Sequence, residues 1–72
     1  MTLKQLRERQ AFRQVDVASR CNVAVQTVYA WEKGQSQPRP PHIRALAEMY
    51  GVTVAEIKAA IDETAAEAGQ QP

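Results

Sequence analysis

Chemistry needs partners, and the reactive side chains of this chain have none at a useful spacing. His42 stands without a cysteine or second histidine nearby, and Cys21 is the single thiol. No glycine-rich loop is there to cradle a phosphate, and no nucleophile–base pair or metal set assembles from this inventory. Catalysis, a metal and a cofactor are therefore not expected. What remains are side chains that recognise without reacting, foremost Gln26, Tyr29 and Lys33 with a set of arginines. The Gln26 amide offers a donor and an acceptor together, the pattern that suits an adenine edge.

Those groups are useful only if a rigid element presents them. Gln26, Ala30 and Lys33 fall on one stripe of a helix over about 25–33, while Val28 and Trp31 fall on the other. A helix over about 14–21 precedes it, with Val17, Ala18 and Cys21 facing inward and Asp16 in the first turn, where the helix dipole favours a carboxylate. Ala18 is small where the two helices touch. Asn22 tolerates the positive φ of a tight turn, and Val23 is placed to pin that turn to the core. This is the form of a helix-turn-helix, whose second helix offers its outer face to a major groove. Double-stranded DNA is the leading partner.

The rest of the chain reads as packing for that pair. Thr2 and Gln5 have capping-box spacing, Met1 and Leu6 can staple around it, and Leu3 and Leu6 are buried in a helix that ends near Gln10 or Ala11. Phe12 then turns into the core. Gly34 stops the third helix, and the prolines of 35–41 break the chain before a fourth, with Pro41 in its first turn and Gly51 after its end. Ile43, Leu46, Ala47 and Tyr50 form its core stripe. Thr53 and Glu56 open a fifth helix that reaches about Glu67, with Ile57, Ala60 and Ile61 inward. One domain over 1–67 and a flexible tail over 68–72 are expected. Trp31 is assigned to the core, Cys21 reads as a small buried hydrophobe, and His42 as decoration on a helix start.

Seventy-two residues, 44% hydrophobic and 24% charged, fit one small globular domain. A single cysteine excludes an internal disulfide. No apolar run approaches the roughly 18–20 residues that span a bilayer, and TLKQLRERQ is amphipathic rather than a secretory leader, so a cytoplasmic protein with no membrane partner is expected. The net charge is +1, but it is unevenly placed. Residues 1–50 carry eight cations against four carboxylates, net +4, and residues 51–72 carry one against four, net −3. A basic front and an acidic last helix suit a DNA-facing domain.

Gln14 opening the second helix, Ala18 four on, Val23, Thr27-Val28, Trp31-Glu32-Lys33-Gly34, Pro38 four beyond, and LAxxYGV from Leu46 to Val52 stand in one ungapped register. In these residues the chain resembles the phage repressor/Cro-type helix-turn-helix (Xre) family over about residues 2–62. The resemblance implies an all-α, five-helix, lambda-repressor-like domain, bacterial or phage-derived, that binds DNA as a small transcriptional regulator. It further implies that Gln14 meets a phosphate through side chain and backbone, and that Val25, Gln26, Thr27, Tyr29 and Ala30 lie along the DNA-facing helix. Lys33 would approach a phosphate on the other side, and Arg7 and Glu32 would pair between helices 1 and 3. Ala24 and Arg13 stand where the family often caps a helix with Ser or Thr; Arg13 could instead touch a phosphate. Arg39 could enter a minor groove, touch a phosphate or stay solvated. Symmetry would come from a homodimer, formed through the last helix or only on DNA, because no separate dimerisation element is evident. The alternative is a protein-binding adaptor or antitoxin-like partner on the same scaffold, favoured by the acidic last helix and by apolar Val25 and Ala30.

Overall fold

The computed structural model describes residues 1–70, which form five helices: α1 (Leu3–Arg9), α2 (Gln14–Cys21), α3 (Val25–Glu32), α4 (Pro40–Tyr50) and α5 (Val54–Gln70). The first four end alike. A residue in the left-handed region follows each: Ala11 (φ 60°), Asn22 (φ 56°), Gly34 (φ 74°) and Gly51 (φ 67°). At each stop the next residue's N–H returns to a carbonyl in the last helical turn: Phe12 to Arg7, Val23 to Ala18, Gln35 to Ala30 and Val52 to Ala47. These are Schellman closures, which satisfy carbonyls that a helix end leaves orphaned. They also turn the chain sharply, and that is how short helices stack into one core.

Three of those stops agree with the sequence reading; Ala11 does not carry its signal. An L-residue in this region costs roughly 1–2 kcal/mol, and glycine adopts it freely. Ala11→Gly should therefore raise the unfolding free energy by about 1 kcal/mol, read as a higher urea midpoint at unchanged slope.

Starts follow local chemistry. Thr2 caps α1 in a reciprocal box with Gln5, at 3.2 Å to the Gln5 N–H and 2.8 Å from the Thr2 N–H to Gln5 Oε1. Thr53 Oγ1 accepts from the Glu56 N–H at 3.1 Å. Pro40 and Pro41 occupy the first turn of α4, one residue earlier than expected.

Val17, Val28, Leu46, Tyr50 and Ile57 are fully buried, so α2 to α5 all insert into one centre; Leu6 from α1 and Trp31 close it. Cys21 is buried as expected, and burial pushes its thiol pKa up. His42 is half-buried with its ring 5.4 Å from that of Trp31. It braces α4 against α3 rather than decorating the surface.

Helix α5 continues past Glu67 to Gln70. Residues 71–72 of the expected tail lie outside the described residues. The inward stripe of Ile57, Ala60 and Ile61 extends one turn to Thr64, buried to 5% exposure. Its hydroxyl accepts the Leu3 N–H at 3.1 Å and donates to the Ala60 carbonyl at 2.7 Å, tying the start of α1 to α5. Thr64→Val keeps the shape and strands the Leu3 donor. A loss of about 1–3 kcal/mol is expected, with Thr64→Ser losing less; denaturant titration of both variants checks this.

Candidate nucleic-acid interface

The outward face of α3 is set by its 3.6-residue period. Val28 and Trp31 are buried, which leaves Val25, Gln26, Tyr29 and Lys33 exposed and Thr27 and Ala30 half-buried at the flanks. Residues four apart stack along a helix. Val25, Tyr29 and Lys33 therefore form one row, and Gln26 and Ala30 the row beside it. The Lys33 ammonium lies 5.5 Å from the centre of the Tyr29 ring, a cation–π distance that draws the charge back along the face. Ala24 precedes α3 with no side-chain cap, and the first turn is closed by the backbone alone, the Thr27 N–H donating to the Ala24 carbonyl at 2.9 Å.

Three elements hold this helix in place through one polar cluster. Arg7 of α1 grips Glu32 at the end of α3 with two parallel bonds, Nε to Oε2 at 2.7 Å and Nη2 to Oε1 at 3.1 Å. Arg7 Nη1 also donates to the Phe12 carbonyl at 2.9 Å, a group that the turn at Ala11 aims inward. Both side chains are nearly enclosed, at 11% and 5% exposure. The bonds to Glu32 are the chief reason the Arg7 pKa is raised, partly opposed by burial. Tyr50, buried nearby, has its hydroxyl pKa raised by burial first and then by the Glu32 charge.

The cluster includes Gln14. Its amide Nε2 donates to Glu32 Oε1 at 2.9 Å, so the side chain is not free in the way the sequence reading implied. An amide nitrogen carries two hydrogens. One is held by Glu32, and the other remains for an external acceptor. The same bond places the start of α2 beside the end of α3, next to Lys33 in the chain.

The two arginines behave differently from that group. Arg13, at the N-cap of α2, directs Nε and Nη2 onto Asp16 at 3.3 and 3.2 Å, and its backbone N–H donates to the same carboxylate at 2.9 Å. Its side chain stays mostly exposed. The Arg13 guanidinium, followed by its backbone N–H, holds the Asp16 pKa below the usual carboxylate value. Arg39 is exposed at the N-cap of α4, with no bond tying it to the face of α3. Sequence reasoning paired Arg7 with Glu32 but missed Phe12 and Gln14 as further partners. The Phe12 contact depends on an unsignalled turn, and the Gln14 contact on the α2–α3 crossing.

Among the described residues no group of three His, Cys, Asp or Glu side chains is gathered as a metal site, and no helix is long and apolar enough to cross a membrane. Five helices without a strand in that range, with α2 and α3 joined through a left-handed turn and the outer face of α3 unobstructed, define a small helix-turn-helix domain. The family model described as a helix-turn-helix domain matches residues 1–60, and the chain belongs to that family. No curated protein and no solved structure matches the chain.

Proposed function

We propose that this protein is a sequence-specific DNA-binding regulator of the repressor/Cro (Xre) type, acting without catalysis. The observation that carries the proposal is the exposed face of α3, clamped at its far end to α1 and α2 by the Arg7–Glu32–Gln14 cluster. In this reading α3 enters the major groove with its first turns against base edges. Lys33 and the second amide hydrogen of Gln14 flank it as phosphate contacts, and Arg13 and Arg39 add charge at the periphery. A domain this small binds modestly alone, so a pair of copies assembled on two half-sites one helical turn apart completes the regulator.

Fluorescence anisotropy of the chain with DNA from upstream of its own gene, against scrambled DNA at two salt concentrations, tests the reading. Binding should weaken steeply with salt, because each neutralised phosphate releases a counterion. Gln26→Ala should lower affinity for the native fragment by roughly 5- to 150-fold and leave the scrambled fragment unchanged.

A second reading rests on Val15, Val25 and Tyr29, which are 51%, 40% and 47% exposed. An apolar protein partner would cover them. Salt-independent capture of a protein, with no DNA binding at low salt, would favour that reading.

A further inference from the structure

We infer that the half-site core bound by α3 is built of A·T pairs, with an adenine read by Gln26 and a thymine methyl by Val25. The inference deepens the DNA-binding proposal and rests on it. It comes from the chemical inventory of the face, which is narrow. A guanine edge is read by Arg or Lys, cytosine N4 by a carboxylate, adenine by Asn or Gln, and the thymine C5 methyl by apolar groups. The first two turns of α3 expose Val25, Gln26 and Tyr29. None of these is an Arg, Lys, Asp or Glu. The one carboxylate of the helix, Glu32, is 5% exposed and engaged by Arg7 and Gln14. The cation that follows the helix, Lys33, caps the opposite end and lies over the Tyr29 ring. The charged readers of G·C pairs are thus absent where base edges are met.

What is present is complementary to A·T. Gln26 is exposed, with no hydrogen-bond partner to compete for its amide, and can meet adenine N6 and N7 together. Val25 precedes it in the chain on the neighbouring row. Adjacent residues of a helix rise only about 1.5 Å along its axis and diverge by about 100° around it, so the two side chains reach different groups on one stretch of groove. Gln26 then reads its pair through hydrogen bonds, and Val25 meets a thymine through a methyl contact. Half-buried Ala30, behind Gln26, is small enough to admit a further thymine methyl but offers no bond of its own.

Selection of duplexes from a randomised library by the whole chain gives the core directly. Anisotropy then compares the selected duplex with singly modified ones, 7-deazaadenine at each core adenine and uracil at each core thymine in turn. One modification of each kind should weaken wild-type binding several-fold. Gln26→Ala should abolish sensitivity to 7-deazaadenine alone, and Val25→Ser sensitivity to uracil alone; both sites are exposed, so circular dichroism melts should match wild type. A selected core rich in G·C, or sensitivities that neither variant removes, overturns the inference and leaves DNA reading intact. Salt-sensitive binding with no enriched sequence overturns it as well, reducing the domain to a backbone binder. Absence of binding at low salt overturns both the inference and the proposal beneath it.

Discussion

Replacing Glu32 by alanine is expected to destabilise the domain by about 3–5 kcal/mol, the usual result of removing one partner from a buried ion pair. The carboxylate is the hub of three bonds: Arg7 Nε, Arg7 Nη2 and Gln14 Nε2 all end on it. Without it the guanidinium keeps only the Phe12 carbonyl, in a site where its side chain is 11% exposed. Arg7→Ala should be nearly as damaging, since it leaves a carboxylate at 5% exposure facing one amide. Arg9→Ala is the control. That side chain is exposed and bonds only the Met1 sulfur at 3.6 Å, so its loss should stay within about 0.5 kcal/mol. Urea unfolding of the three variants decides the matter, and equal midpoints would remove the cluster from any structural role. The apolar double variant Arg7→Met/Glu32→Leu separates stability from function. It should recover much of the folding free energy and still bind DNA less well, because Gln14 loses the bond that orients it.

Helix periodicity and stop chemistry explain why so much of this architecture was legible from residues alone. Asn22, Gly34 and Gly51 are residue types that adopt positive φ at little cost, so three of the four turns announce themselves. Ala11 adopts the same conformation without the matching propensity, because the core demands Phe12 and the Arg7 site demands the Phe12 carbonyl. Tertiary packing overrode local preference there. Thr64 was hidden for a different reason. Its place on the stripe of Ile57, Ala60 and Ile61 marks it as buried, but only the folded chain brings the Leu3 N–H to its hydroxyl.

The exposed face of α3 was legible because exposure follows from the burial of Val28 and Trp31 three residues apart. The Gln14 amide was not, because its bond to Glu32 spans eighteen residues and depends on how α2 crosses α3. The contrast has a physical root. Side-chain direction within a helix follows from its period, whereas pairing between helices follows from crossing geometry that several sequences share. His42 shows the same limit. Its type marks no role, and its packing on Trp31 exists only through the fold of 35–41.

The second large effect is expected at Gly34, where conformation and crowding act together. Its φ of 74° is one that alanine adopts at a cost of roughly 1–2 kcal/mol. A Cβ placed there would also lie 2.9 Å from Ala68 Cβ, closer than packed atoms tolerate, and a tight 3.3 Å from the Thr64 carbonyl oxygen. Relief would require α5 to move, and overpacking of this kind costs about 1–3 kcal/mol. Gly34→Ala should therefore lose about 2–5 kcal/mol. Gly51 supplies the comparison, for its φ of 67° is similar but an added Cβ meets nothing nearer than Gln10 Nε2 at 3.9 Å. Gly51→Ala should lose only the conformational share, about 1–2 kcal/mol. Thermal and urea unfolding of both variants give the difference directly. Equal losses would mean that the last turns of α5 do not press on the end of α3, and that the ordered domain stops short of Ala68. A larger loss at Gly34 would assign those turns a purpose, which is to hold the exit of α3 so that Glu32 stays within reach of Arg7 and Gln14.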